Sequence, residues 1–336
     1  MTIKNEYGHN GDMIRFILIG TGWRAAFYSR IAKALPDRFS ILGIYTRSEE
    51  RALELKAKGE NASTDLEALL SIEHDGVIVA SGASGYTDLM LYLAERREKI
   101  LTETTFLTLS EEDENKLSGL SALVLEQYWF TPLYASVRKC LPKIGRVDQV
   151  MLSALHNHHA ASIIRGIFGL YDEKPEVLSF DFPSSSIKTG SRKGREFEGE
   201  SEGYTRKLRV LRFPEDRLYI HDFSTNQYHT YIFPARFEIR GERGTINEKG
   251  ITYVNDEGIL IKEDFVFHRD SEKINQRLYL SHVTLGSEVL YLNPFRGADL
   301  DDDEIALSLM LDAFARGENP YPIDEAIKDA RLGRLL

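Results

Sequence analysis

Residues Met13 to Tyr28, MIRFILIGTGWRAAFY, constrain this chain more than any other stretch. Ile14, Phe16, Ile17, Leu18 and Ile19 form an apolar run with the length of one buried strand. Gly20-Thr21-Gly22-Trp23-Arg24-Ala25 follows at once, and the pattern from Ala25 onward is helical. A strand, G-x-G-x-x-A and a helix, in that order, are the fingerprint of a dinucleotide-binding turn. Gly20 permits the tight turn, Gly22 lets the backbone approach a pyrophosphate, and Ala25 lets helix and strand pack closely. The helix start presents N–H groups and partial positive charge to the phosphates. Gly20, Thr21, Gly22, Trp23 and Arg24 are therefore expected at the cofactor.

The rest of the chain fits that start. Its 336 residues suggest two domains. A net charge of −10 argues against a nucleic-acid partner, which would favour a basic face. The basic cluster Lys188, Arg192, Lys193 and Arg195 is followed by Glu196, Glu198, Glu200 and Glu202, which reads as a mobile, solvated loop. Cys140 is the single cysteine, so no intrachain disulfide forms, as suits a reducing compartment. No signal-like start and no apolar run near the ~20 residues of a membrane span is present. The expectation is a cytoplasmic protein without a membrane partner, whose residues 1–12 are a disordered tail.

Strands and helices alternate from Ile14 to about Leu120. Phe39–Tyr45, Gly76–Ala80 and Lys99–Thr102 read as strands, with helices over Ser48–Lys58, from Leu66 after the Ser63-Thr64-Asp65 capping signal, and over Thr87–Arg97. This rhythm implies a doubly wound parallel sheet with ligands beyond the carboxyl ends of its strands, where Gly20, Thr46, Ser81 and Glu103 fall. Leu123–Tyr128 reads as the last strand of that domain and Pro132–Leu141 as a linking helix. Beyond it come a strand over Val147–Leu155 and a helix over Ala160–Leu170. Strands follow at Leu208–Phe213, Arg217–Ile220, Tyr228–Phe233 and Phe237–Arg240. The expected fold is thus α/β. A Rossmann domain occupies 13–128, and 129–336 form an α+β domain with a large, open, mainly antiparallel sheet whose last helices pack back on the first domain. Asp299–Glu304 read as carboxylates favourable at a helix N-terminus, and no metal site is expected.

Further segments carry a family resemblance over nearly the whole chain. Thr46-Arg-Ser-Glu-Glu-Arg-Ala52 resembles D-R-x-x-x-R-A, Asp75–Ala80 resembles D-x-V-x-I-A, and Phe237–Thr245 is similar to I-x-G-x-x-G-T. With Gly317-Glu-Asn-Pro320 before the closing helix, these motifs resemble the Gfo/Idh/MocA family of glucose–fructose oxidoreductase and inositol dehydrogenase. The resemblance implies NAD(P)-dependent oxidation or reduction of sugars and polyols, and homo-oligomers formed through the C-terminal sheet. Departures accompany it. The family's E-K-P falls on Glu103-Thr104-Thr105, its T-P-x-x-x-H on Ser81-Gly82 with Tyr86 in the histidine position, and its D-x-x-x-H on Leu155 and His159.

At the end of the second strand Thr46-Arg47-Ser48 replace the acidic residue of NAD-specific folds. An arginine and two hydroxyls suit a 2′-phosphate, so the expected cofactor is NADP, with NAD left open and Arg47 packing over adenine or facing solvent as the other reading. Ser81, Gly82, Glu103 and Thr104 complete the expected cofactor contacts. His159 stands where the family keeps its catalytic histidine and is the expected proton partner. His156 and His158, facing one side if the strand persists, read as helix cap or polar filling. Glu103 and Tyr128 are the other residues expected to serve the chemistry, while Trp129 and Tyr134 read as core. Tyr86 is a stand-in donor for the absent histidine. Two functions remain open: an NAD(P)-dependent oxidoreductase for a small polar substrate, or a catalytically degenerate nucleotide-binding sensor of the same fold.

Overall fold

From Ile14 to Val124 short apolar runs alternate with amphipathic segments, and each run becomes a parallel strand. The computed structural model describes residues 13–191, 194–195, 199–230, 232–271 and 278–336. In chain order the first elements are β1 (Ile14–Ile19), α1 (Ala25–Ala34), β2 (Phe39–Tyr45), α2 (Glu49–Ala57), β3 (Ala62–Ser63) and α3 (Leu66–Leu70). They continue with β4 (Gly76–Val79), α4 (Tyr86–Glu95), β5 (Ile100–Thr102), α5 (Glu111–Leu117) and β6 (Ala122–Val124). The strands lie in the order β3-β2-β1-β4-β5-β6, all parallel. Every residue of β4, β5 and β6 is buried, as a sheet covered on both faces requires. The order reverses between β1 and β4, so their carboxyl ends, at Gly20 and Ala80, frame the switch point where such sheets hold ligands.

The helix starts follow local chemistry. Ser48 Oγ accepts from Arg51 N at 3.2 Å and Asp65 Oδ1 from Ala68 N at 3.0 Å.

The sequence then gives α6 (Pro132–Cys140), β7 (Val147–Ser153) and α7 (Asn157–Phe168). Strands follow: β8 (Glu176–Ile187), β9 (Gly190–Ser191), β10 (Gly194–Arg195), β11 (Ser201–Phe213), β12 (Arg217–Asp222), β13 (Arg236–Gly241), β14 (Gly244–Asn247) and β15 (Gly250–Val254). The chain closes with β16 (Leu260–Asp270), β17 (Tyr279–Leu285), β18 (Glu288–Leu292), α8 (Asp302–Ala315) and α9 (Ile323–Gly333). Ten of these strands form one sheet in the order β18-β17-β16-β15-β14-β13-β7-β12-β11-β8. From β16 through β15, β14 and β13 to β7, and from β12 through β11 to β8, neighbours are antiparallel, whereas β12 runs parallel to β7. One face, with Val150, Leu152, Leu211, Phe213, Tyr219, Phe237 and Ile239, is buried.

The chain divides into two units. The first comprises residues up to Pro132 with 268–282 and 292–327; the second comprises 133–267, 283–291 and 328–336. Within the first, α8 closes on the parallel sheet: the Phe314 ring lies tilted 5.9 Å from that of Phe16, Arg38 pairs with Asp312 at 2.7 Å, and Arg30 with Glu304 at 2.5 Å. Among the described residues no helix is long and apolar enough to cross a membrane.

Several elements differ from the sequence expectation. The run at Leu123–Tyr128 is a strand only over Ala122–Val124, because Tyr128–Phe130 winds into a 3₁₀ turn whose first N–H is taken by Glu126 Oε1 at 3.3 Å. Tyr228–Phe233 has strand composition but is not a strand among its described residues. Ser224 and Gln227 close a capping box that winds Thr225–Tyr228 into a 3₁₀ turn, and His229 O accepts from Thr189 N and Gly190 N. The strand expected to reach Leu155 ends at Ser153, and His158 lies in α7, so His156 and His158 do not share a strand face. Glu202 belongs to β11 instead of a loop, while Arg192, Lys193, Glu196 and Glu198 lie outside the described residues, as do residues 1–12.

Candidate functional site

Gly20 leaves β1 with φ +119°, and a Cβ there would stand 2.3 Å from Ala80 O. Only glycine lets the backbone cross the end of β4 so closely. Gly22 is different. A Cβ on it meets nothing within 4 Å, so its glycine leaves a bare backbone face that packing alone does not require. Ala25 is 2% exposed and seats α1 against the sheet. Arg24, at the N-cap, makes no side-chain cap bond, and the first turn holds no acidic residue. The start of α1 therefore suits an anion, and the loop fits a dinucleotide pyrophosphate. Gly20→Ala should cost at least about 2 kcal/mol of stability, from positive-φ strain and the Ala80 clash. Gly22→Ala should cost less than about 1 kcal/mol yet weaken dinucleotide binding, read by denaturant melts beside ligand titrations.

Trp23, half exposed at 49%, meets the Phe27 ring edge-on at 4.7 Å. Arg24 turns the other way. Its Nε donates to Glu103 Oε1 at 2.7 Å, and the Tyr28 hydroxyl donates to the same oxygen. Burial opposes the charge on Arg24, but Glu103 overrides it and raises the arginine's pKa; burial and then Glu103 raise that of Tyr28. A carboxylate held between a guanidinium and a phenol is an anchor between β5 and α1. It is poorly placed to act as a general base.

Beyond Glu103 the chain makes an inverse γ-turn. Thr104 has φ −80° and ψ 57°, and Thr105 N donates to Glu103 O at 2.9 Å. Thr105 Oγ1 donates to Ser81 O at 3.3 Å, which brings Thr104 to the ends of β4 and β5 beside Ser81 and the exposed Gly82. Tyr86 is buried in the core with its hydroxyl 2.8 Å from Thr102 Oγ1. At the end of β2, Thr46 Oγ1 accepts from Ser48 N at 3.3 Å, and both hydroxyls keep their hydrogens for a further acceptor. Arg47 is exposed and engages no acidic partner among the described residues. A cavity of about 190 Å³ lies alongside, lined by Gly20, Thr21, Ala25, Ile44, Arg51 and Leu55. It is smaller than a pocket that encloses a whole ligand, so it forms only one wall of the nucleotide site.

Carboxylates from α8 complete this end of the first unit. Asp301 and Glu304 form a capping box, as the acidic run implied. Asp303 is pushed up to about 6, first by burial and then by Asp301, Asp302 and Glu126, against the pull of Arg24. Its folded value lies above the ordinary 3.8, so the stability it contributes is complete below pH ~4 and lost as pH rises through ~6. Asp303→Asn should remove that dependence and exceed the wild type by up to about 3 kcal/mol above pH ~7, measured by denaturant unfolding across that range.

In the second unit the histidines gather at the start of α7. His156 is the N-cap residue, extended at φ −67° and ψ 153°, without a side-chain cap bond. Its ring lies 5.7 Å from that of His158, which in turn lies 3.9 Å from that of His159. Burial lowers the pKa of His156. Leu155 is buried, so the aspartate position of the family motif is here a packing position. His221, on β12, was not anticipated. The strand reading stopped at Ile220, although the alternation Leu218-Tyr219-Ile220-His221 continues inward on every second residue. Tyr134 and Trp129 are core, and Tyr128 is half-buried in its turn.

Solved structures resemble nearly the whole chain, among them the following three. Levoglucosan dehydrogenase, in complex with NADH and levoglucosan, superposes with a TM-score of 0.64 at 14% identity, covering 96% of each chain. An oxidoreductase from Agrobacterium radiobacter, in complex with NAD+, L-tartaric acid and magnesium, gives 0.62 at 16%, covering 95% of this chain and 94% of that one. The WlbA dehydrogenase from Bordetella pertussis, with NADH and UDP-GlcNAcA, gives 0.62 at 13%, covering 96% and 95%. The fold is the one that these dehydrogenases and oxidoreductases share. No family model and no curated protein matches the sequence. At these identities the shared property is the fold, and the chemistry must be argued from the residues.

Proposed function

We propose that the protein is an NAD(P)-dependent oxidoreductase acting on a small polar substrate, a sugar, polyol, carbonyl or imine. The observation that carries this reading is the glycine loop: Gly20 is forced by Ala80, Gly22 is left bare, and α1 opens without a side-chain cap. Solved relatives of this fold hold NAD+ or NADH, which supports a nicotinamide cofactor at that loop. When bound, the nicotinamide supplies hydride chemistry. The chain's own residues must bind, orient and manage one proton. Gly20, Thr21 and Gly22 hold the pyrophosphate, and Trp23 flanks it. Arg24 and Glu103 fix the loop against β5, and Ser81, Gly82 and Thr104 border the nicotinamide end. His159 exchanges the proton with the substrate oxygen or nitrogen, with Tyr128 at the edge of the substrate site.

NADP is the proposed form. Arg47 supplies an uncommitted cation, and the Thr46 and Ser48 hydroxyls supply donors, where a carboxylate would repel a 2′-phosphate. Arg47→Glu should weaken NADPH binding by about tenfold to a hundredfold and leave NADH binding nearly unchanged, read by fluorescence titration. Equal affinity of the unmodified protein for both cofactors would remove the NADP preference while leaving the oxidoreductase reading in place. Turnover on a sugar and polyol panel, followed at the reduced-nicotinamide absorbance, tests that reading itself.

We further propose a homo-oligomer through the outer face of the ten-stranded sheet. Leu178, Phe180 and Phe182 of β8 are exposed there, and the register sets Leu178 opposite Val210, Phe180 opposite Leu208 and Met151 opposite Ile220. A contiguous apolar face of this kind is an association surface. The solution context proposed is cytoplasmic.

A further inference from the structure

In the second sheet β7 and β12 run parallel, with Tyr219 beside Val150 and His221 beside Leu152. All four side chains are buried, each at most 1% exposed, and α7 springs from the carboxyl end of β7. Carboxyl ends of parallel strands at a helix start are where α/β folds place ligands. Tyr219 Oη lies 2.7 Å from His221 Nδ1. The Tyr219 hydroxyl has no other partner among the described residues, so its hydrogen is satisfied only by donating to Nδ1. Nδ1 then accepts, and the ring hydrogen must sit on Nε2. That Nε2 is buried and has no hydrogen-bond partner among the described residues. A shielded N–H without an acceptor is costly, and here it points to a missing ligand.

We propose that His221 Nε2–H is a ligand-binding donor of the second unit, taking an uncharged oxygen of a polyhydroxy compound, with Tyr219 as the positioning residue that fixes its tautomer. Calling that compound the substrate rests on the oxidoreductase reading; the binding itself does not. The surroundings select for an uncharged group. Burial first, and then His156 and Arg209, hold His221 down to about 4 against the pull of Asp222, so the ring is neutral at physiological pH. The nearby charges are already matched, Asp222 by Arg206 at 2.6 Å and Arg209 by Asp181. Neither of these two cations is left to offset the desolvation of a carboxylate, whereas a hydroxyl or carbonyl oxygen needs only the donor. His156, whose ring makes no hydrogen bond among the described residues, is the ring that can give way to admit the ligand.

The test is ¹⁵N NMR of the full-length protein labelled at histidine, with the His221 signals assigned by their loss in His221→Gln. The expected spectrum shows an accepting Nδ1, a protonated Nε2 and a neutral ring down to pH ~5. Added D-glucose or xylitol shifts the Nε2 signal, tartrate does not, and Tyr219→Phe mixes the tautomers and weakens the polyol response about tenfold. A hydrogen on Nδ1, a cationic ring at neutral pH, a signal unmoved by both polyols, or an equal response to tartrate would overturn the proposal. Dinucleotide binding is read separately, so a chain that fails to bind the cofactor loses the oxidoreductase reading while the tautomer and polyol results stand.

Discussion

Replacing Arg24 by methionine should destabilise the first unit by about 3–5 kcal/mol, because it strands the buried Glu103 carboxylate with Tyr28 alone. The pair is shielded on both sides, with side-chain exposures of 18% and 10%, so the usual discount for a surface ion pair does not apply. Desolvation sets the size of the effect. Glu103→Gln should cost less, since a neutral amide still accepts from the phenol. The double variant Arg24→Met/Glu103→Gln should recover most of the loss, as neither charge is then buried alone. Denaturant unfolding of the four proteins measures the coupling; additive effects would show that the two side chains do not act as one anchor. Dinucleotide affinity should fall with Arg24→Met, because the anchor holds the start of α1.

The second large effect concerns turnover. His159→Ala should lower the turnover number by about 10²–10⁴, the range associated with one positioned proton partner. Cofactor affinity should stay within about twofold, since His159 belongs to α7 and not to the glycine loop. His159→Gln should not rescue it, because an amide does not titrate. An unchanged rate in His159→Ala would take that role from His159 and leave dinucleotide binding untouched.

The elements most legible in the sequence were those written in local chemistry. β1, the glycine turn and α1 lie in one continuous stretch, and each residue's role follows from its neighbours. Asp65 and Ser48 announced their helices in the same way, through a side chain three residues from its partner N–H. The strand assignment failed where composition and geometry part company. Around Tyr228 the aromatic and β-branched residues suggested a strand, but the Ser224–Gln227 capping box wound the chain first.

The site was less legible because its decisive contacts are remote in sequence. Arg24 and Glu103 are 79 residues apart, and nothing near either one announces the other. Glu103 was expected to contribute chemistry, and the partners that hold it, Arg24 and Tyr28, are seen only in three dimensions. Asp303 read correctly as a carboxylate at a helix start, but its raised pKa depends on Glu126 and Arg24, from different elements. His221 lies one residue beyond the strand read at Arg217–Ile220, and its significance lies in the partnerless Nε2, which no sequence pattern carries.

The central claim is that Gly20–Ala25 bind a nicotinamide dinucleotide. Emission from Trp23, half exposed in that loop, should change saturably as NADPH or NADH is added, with resonance transfer to the reduced nicotinamide. The change should vanish in Trp23→Phe, while Trp129, buried at 8% exposure, continues to emit. Saturation at micromolar dinucleotide, about −8 kcal/mol, is the predicted result. An emission spectrum unchanged at millimolar NADPH and NADH would contradict the account at its foundation.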